Sequence, residues 1–293
     1  MEASVARRTW ELFEPYHATV YFASEGKEIY SDAGLKGGWM SYFASRSAAL
    51  GPVPAEVVIA TFYNFHPNMV RRAIPDAWEF ASPEAVLEAR LKVADSSLRR
   101  LLGDAVRSKD MTRATELARE AVSRCNVTGR PLFAAHLALE PPVEPHLELW
   151  HWTTCLREHR GDGHVACLVA EDIDGCQAHV LMAAAGVVPA DMQRSFRGWT
   201  EEEWNDAAAR LQEREYLNED GELSRKGAEL RARIEKRTDE LALPPWAALG
   251  EAKTEEFGRL MRSLVARIVE DEGLPYPNPM GLTPLTLELD LTD

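Results

Sequence analysis

Apolar residues in this chain recur mostly at helical spacing, and the second half shows it best. From 147 to 159, Leu149, Trp152 and Leu156 fall on one helical face. Arg160-Gly-Asp-Gly163 then predicts a break, which would put Arg157, His159 and Arg160 at a helix C-terminus, and a second helix resumes from His164 to Glu171. Gly175 to Ala185 reads as an apolar helix and Pro189 to Phe196 as a short one. Thr200-Glu-Glu-Glu203 has the form of a capping box, in which a hydroxyl and a carboxylate satisfy each other's backbone N–H, and it opens a helix to about Tyr216. Leu217-Asn-Glu-Asp-Gly-Glu-Leu-Ser224 places an Asp-Gly turn between two short extended pieces. A long helix from Arg225 to about Ala242 and an amphipathic one from Thr254 to Glu272 complete the half.

The first half repeats the plan. Leu87 to Leu98 lies against Leu230 to Leu241 at an offset of 143, which also aligns Leu117, Arg119, Val122 and Arg124 with Leu260, Arg262, Val265 and Arg267. Gly51-Pro-Val-Pro-Ala55 matches Gly186-Val-Val-Pro-Ala190 at 135, and Gly26 and Gly38 match Gly163 and Gly175 at 137. Collinear blocks whose offsets change only by small steps point to tandem duplication with short insertions. The expected domains are residues 1–145 and 146–293. In the first, Asp76 to Ala81 replaces the hairpin, and Ser82-Pro83 caps a long helix.

Three helices, a hairpin and a long exit helix make a winged helix-turn-helix. The run Trp204, Ala208, Leu211, Leu217, Gly221, Leu223, Ser224, Gly227 and Leu230 resembles the second half of a MarR-type regulator repeat. In that family terminal helices interlock between two subunits. Two repeats in one chain could do so internally, so the expected fold is mainly α: a tandem duplicated, MarR-like winged helix-turn-helix forming an intrachain pseudo-dimer. Further residues, Phe62 to Pro67, Leu156 to His164, Arg197-Gly-Trp199 and Pro277 to Leu282, resemble those of an actinobacterial helix-turn-helix family called SalA-like. That resemblance covers nearly the whole chain and implies the fold, and it assigns no catalytic residue.

Composition changes the expected partner. The formal net charge is −14, and no apolar run approaches the roughly 18 residues that span a bilayer, so a membrane partner is not expected and a cytoplasmic location is the default. A duplex reader offers basic groups to phosphate. From Ala190 to Asp220 there are nine acidic and four basic residues, and the hairpin tip Asn218 to Glu222 carries three acids, so DNA is disfavoured as a partner though not excluded. The four cysteines, Cys125, Cys155, Cys167 and Cys176, lack C-x-x-C spacing and read as buried thiols.

The stretch Trp150 to His164 holds three of the eight histidines, two arginines, an aspartate and two tryptophans. An arginine pair beside imidazoles can hold a carboxylate, enolate or phosphate and move a proton near neutrality. Candidate acid–base groups are His66, His151, His159 and His164. Candidate ligand contacts are Trp39, Tyr42, Arg46, Tyr63, Asn64, His66, Trp150, His151, Arg157, His159, Arg160 and His164, types that suit an aromatic or anionic small molecule. No metal or cofactor is expected, because the histidine spacing matches no zinc motif and no Gly-rich phosphate loop is present. Asp162 and Gly163 share their acid–glycine pair with Glu25 and Gly26 and read as turn scaffold, with Asp162 able to cap the helix that follows. The favoured function is small-molecule binding at the seam between repeats, in a monomeric pseudo-dimer or weak homodimer. A ligand-responsive DNA-binding regulator, and a natural-product biosynthesis or resistance enzyme on the same scaffold, stay open.

Overall fold

In the computed structural model, which describes residues 1–283, the chain is almost entirely helical. The first half contains α1 (Ser4–Phe22), α2 (Gly26–Asp32), α3 (Gly38–Ser47), α4 (Ala55–Phe62), α5 (Pro67–Arg71), α6 (Ala77–Phe80), α7 (Pro83–Leu102), α8 (Lys109–Val122) and α9 (Pro131–Leu137). The second contains α10 (Pro145–Ala170), α11 (Gly175–Ala184), α12 (Ala190–Arg197), α13 (Glu201–Glu213), α14 (Arg225–Ala242), α15 (Pro244–Leu249) and α16 (Glu251–Glu270). Between α13 and α14 the Asp220-Gly221 turn closes a small antiparallel loop through one bridge, Leu217 to Leu223. Asn218 N–H donates to the Glu222 carbonyl and Ser224 N–H to that of Tyr216.

Helix starts follow capping chemistry. Ser82, Ser108 and Ser224 each accept from a backbone N–H in the first turn of α7, α8 and α14. Thr200 and Glu203 form the expected capping box on α13; Asp174 and Gln177 form another on α11.

The central element is α10, and its course corrects the expected break. The helix runs unbroken for 26 residues through Gly161-Asp162-Gly163, so Arg157, His159 and Arg160 lie in mid-helix. The glycines make room for neighbours. A Cβ on Gly163 would sit 2.8 Å from Arg130 Nη1, whose guanidinium donates to the carbonyls of His159 and Leu241. Asp162 does cap a helix, but a different one: its Oδ2 accepts from Phe133 N–H in the first turn of α9 at 2.9 Å. A helix buried on nearly all sides loses the one-sided pattern that marks a surface helix. Thus α10 packs against α1, α7, α8, α9 and α14.

One large core draws on both sides of residue 145, from Ala6 and Leu12 through Leu149 and Leu156 to Phe257 and Leu282. A smaller core, around Cys176, Leu181, Ala207, Leu211 and Leu230, holds α11, α13 and α14 together with the end of α10. The first half touches this smaller unit through backbone. A Cβ on Gly175, at the start of α11, would lie 2.3 Å from the Tyr63 carbonyl oxygen and 2.8 Å from Asn64 Cα. Backbone on both sides cannot yield cheaply. Gly175→Ala should therefore destabilise the protein by roughly 1–3 kcal/mol, as overpacking does, while Gly38→Ala, whose added carbon meets nothing within 4 Å, should change stability by less than about 0.5 kcal/mol in urea unfolding.

Candidate functional site

At the middle of α10 a chain of buried ion pairs ties three helices together. Arg46 of α3 donates from Nε and Nη2 to the two carboxylate oxygens of Glu158, at 3.2 and 3.0 Å. Arg157 donates from Nη1 to Glu158 Oε1 and from Nε to Glu14 of α1, both at 2.8 Å, and Trp10 Nε1 donates to the other Glu14 oxygen at 3.0 Å. Glu14 and Glu158 are each only 1% exposed. Burial opposes ionisation of Glu158, yet the attraction of Arg46 and Arg157 outweighs it and holds the carboxyl well below its ordinary value.

Above these pairs opens a cavity of about 560 Å³ between the end of α1, α3, α4, α10, α12 and the segment Pro279–Met280. Aromatic rings form its wall: Tyr42 and Phe65 at 5.4 Å, Phe43 behind them, and Phe62, over which the Arg46 guanidinium lies at 4.2 Å. Trp39 and Phe196 stand at the mouth, 6.4 Å apart and nearly perpendicular, 40% and 38% exposed.

The distinguishing group is Arg197, at the end of α12. Its guanidinium lies 4.4 Å over Phe65 and reaches the Pro279 carbonyl from Nη2 at 3.5 Å, while its buried Nε has no partner. No carboxylate pairs with it among the described residues. Burial and the nearby Arg46 and Arg157 charges pull its pKa down to about 10, so it remains a cation with unspent attraction for an anion. His164 also borders the cavity. Thr238 Oγ1 gives its proton to the Ile234 carbonyl at 2.8 Å, so it accepts from His164 Nδ1–H at 3.0 Å, and the other imidazole nitrogen carries the lone pair. A wider hollow of about 870 Å³, between α1, α2 and α3, contains Ser24, Lys27, Glu28, Asp32 and Lys36 but no comparable cluster of buried charge.

Of the residues singled out in the sequence, Trp39, Tyr42, Arg46, Asn64, Arg157 and His164 line this one cavity. The others sit elsewhere. Tyr63 donates its hydroxyl proton to the Ile173 carbonyl. His66 accepts from Asn68 N–H on Nδ1, capping α5, and donates from Nε2 to Glu203 at 2.7 Å. Trp150 stacks on His17 and donates to its carbonyl. His151 packs edge-on to Trp152, His159 edge-on to Phe133, and Arg160 binds Asp239 at 3.0 Å over the Trp10 ring. The cavity also uses Phe65, Arg197, Pro279 and Met280. Arg197-Gly-Trp199 and Pro277 to Leu282 stood out as motifs, but nothing in the sequence signalled that they meet across 82 residues.

Among the described residues no group of three or more His, Cys, Asp or Glu is placed to hold a metal ion, and no helix is long and apolar enough to cross a membrane. The chain belongs to the helix-turn-helix family, whose profile matches residues 6–275. No curated protein and no solved structure matches it.

Two predictions follow from the burial of these charges. Glu158→Gln would strand Arg46 and Arg157 and should cost roughly 3–5 kcal/mol in urea unfolding; Glu56→Gln, which breaks only the exposed pair with Arg71, should cost less than about 1 kcal/mol. Burial also lowers the pKa of His17, His136, His146, His151, His159, His164 and His179. A depressed imidazole contributes stability that is full above its ordinary 6.5 and lost as pH falls through the folded value, about 4 for His151 and His164 and about 3 for His136 and His159. Asp162, raised by burial from 3.8 to about 6, acts with the opposite sign: its contribution is present below 3.8 and lost as pH rises through 6. Glu11 and Glu14, whose carboxyls burial also raises, act with the same sign as Asp162, and the seven histidines outnumber these three acids. Unfolding free energy should therefore fall between pH 6.5 and 4, by about 1.4 kcal/mol per pH unit for each net proton, and His151→Gln should remove close to one proton from that slope. A flat profile would contradict the burial described.

Proposed function

We propose that this helix-turn-helix protein binds a planar aromatic anion in the cavity beneath α12, within an intrachain pseudo-dimer of two MarR-type winged-helix repeats. The observation that carries the reading is Arg197, a guanidinium placed in an aromatic cavity without a carboxylate partner. An aromatic carboxylate or phenolate would lie against the wall formed by Tyr42, Phe62 and Phe65 and put its charge against Arg197, while Arg46 and Arg157 stay paired with Glu158 and Glu14. Trp39 and Phe196 would close over the ligand's outer edge.

The pseudo-dimer is supported by which residues meet. At a two-fold axis a residue touches its own counterpart. His17 hydrogen-bonds to Thr154 at a separation of 137, Asn64 to Trp199 at 135 and Arg113 to Glu256 at 143. Each separation equals the sequence offset of its own block. The equal lengths of α3 and α11, and of α4 and α12, support the same correspondence, and SalA-like kinship is proposed on the resemblance of motifs that in part line the cavity. The domain division at 145/146 would then mark the join between repeats.

The acidic surface argues for ligand binding ahead of DNA reading. On α13, Glu201, Glu202 and Asp206 are exposed, and Arg210 is engaged with Asp174. Membership of a helix-turn-helix family favours a second reading, a regulator whose DNA affinity depends on the ligand. Titration calorimetry with 2-naphthoate tests the first. Binding should weaken about 10- to 100-fold in Arg197→Gln, the scale of a lost charge-assisted hydrogen bond; absence of binding, or equal binding by the variant, would sink the reading. Gel shifts at low salt should show at most weak, sequence-independent retention, whereas tight, salt-sensitive binding to one sequence would establish the regulator.

A further inference from the structure

A second buried arginine lacks a carboxylate. Arg90, in mid-α7, is 1% exposed, yet among the described residues no acid pairs with it, and Nε and Nη1 have no hydrogen-bond partner. Its one hydrogen bond runs from Nη2 to Tyr21 Oη at 3.3 Å, and ring faces supply the rest: Trp150 at 5.2 Å and Tyr21 at 5.5 Å. Burying a guanidinium without an anion is costly, and ring faces offset that cost only in part. The nearby imidazoles supply no negative charge. Tyr21 Oη donates to His17 Nε2, because His17 Nδ1–H is committed to Thr154. His136 Nε2 has no partner at all.

Arg90, His136, His151 and Trp150 line a separate cavity of about 230 Å³, walled on its other side by leucines. We propose that this cavity is a second anion site, which takes a small monocarboxylate with its charge on Arg90. Its smaller volume favours a compact ligand. Leu87, Leu91, Leu139 and Pro142 suit a short hydrocarbon body, and the exposed carboxylates of Glu88 and Glu140 at the rim repel dianions such as sulfate. Neutral His136 completes the cradle as a hydrogen-bond donor from Nε2. The Arg90–Tyr21 bond places this site one residue from the larger cavity, which Tyr21 also lines. The inference stands whether or not the larger cavity binds an aromatic anion.

The test is a thermal-unfolding titration of the full chain with sodium isobutyrate at constant ionic strength, with sodium sulfate and chloride as controls. Isobutyrate should raise the midpoint along a saturating curve, as a ligand of the folded state does, whereas chloride should leave it unchanged and sulfate should give only the linear rise of an excluded salt, equal in the parent protein and in Arg90→Gln. Arg90→Gln should weaken the response at least tenfold, while Arg197→Gln should leave it intact. Should Arg90→Gln fail to fold, two other readouts decide. Leu139→Trp narrows the cavity while keeping the Arg90 side chain and should weaken or abolish the response, and the Nε–H resonance of Arg90 in arginine-labelled protein should move on titration. No response to isobutyrate, an unchanged response in Leu139→Trp, or loss of the response in Arg197→Gln in place of Arg90→Gln would overturn the proposal. 2-Naphthoate binding that is weakened in Arg197→Gln and kept in Arg90→Gln reports the other cavity separately, so the two readings can fail independently.

Discussion

Glu158 is the residue on which the arrangement of the site depends. A carboxylate at 1% exposure needs cations, and it takes two, Arg46 from α3 and Arg157 from its own helix. Arg157 in turn fixes Glu14 on α1. Replacing such a network by apolar groups of the same volume is often neutral or stabilising, so burial of these charges is poor evidence that they serve stability. What the network does is geometric. It sets α1, α3 and α10 at fixed separations and holds two guanidinium groups beneath a wall of rings, one of them, Arg46, 4.2 Å over the Phe62 ring.

Much of the helical order was legible because it rests on local chemistry. Capping residues marked the starts of α7 and α13, and the Asp-Gly turn before α14 closed as its sequence required. The course of α10 was not legible, for a physical reason. Glycine and aspartate break helices when the chain has somewhere else to satisfy its backbone, and within one sequence Gly161-Asp162-Gly163 looks like such a place. In the fold the same residues answer needs set by distant segments: Gly163 makes room for Arg130, and Asp162 receives the first turn of α9. Both partners lie about thirty residues upstream, outside any local window.

The candidate site divides along the same line. A dense window of histidines drew attention to Trp150 through His164, yet helical geometry turns successive residues to different neighbours. Arg157 and His164 reach the cavity, whereas His151, His159 and Arg160 are spent on Trp152, Phe133 and Asp239. Spacing of three and four residues on α3 was the better guide, since Trp39, Tyr42 and Arg46 share one face and all line the cavity. Arg197 could not have been singled out by composition. What distinguishes it is a missing partner, a property of the fold and not of the residue.

The distribution of charge then bears on what the family's helix-turn-helix unit does in this chain. A net charge of −14 is compatible with a local basic face. Here, however, Arg46, Arg90, Arg157 and Arg197 all point inward, while Glu201, Glu202 and Asp206 lie on the open side of α13. A duplex reader needs the reverse, because phosphate contacts supply most of its affinity. Field from Arg90 and Arg197, the two of these guanidinium groups that no carboxylate pairs with among the described residues, would reach out through the cavity mouths, over an otherwise acidic exterior. Under the proposed function, an organic anion small enough to enter would be drawn in, and a polyanion too large to enter would meet repulsion first. The charge pattern that would disfavour DNA would then also give the cavities their selectivity.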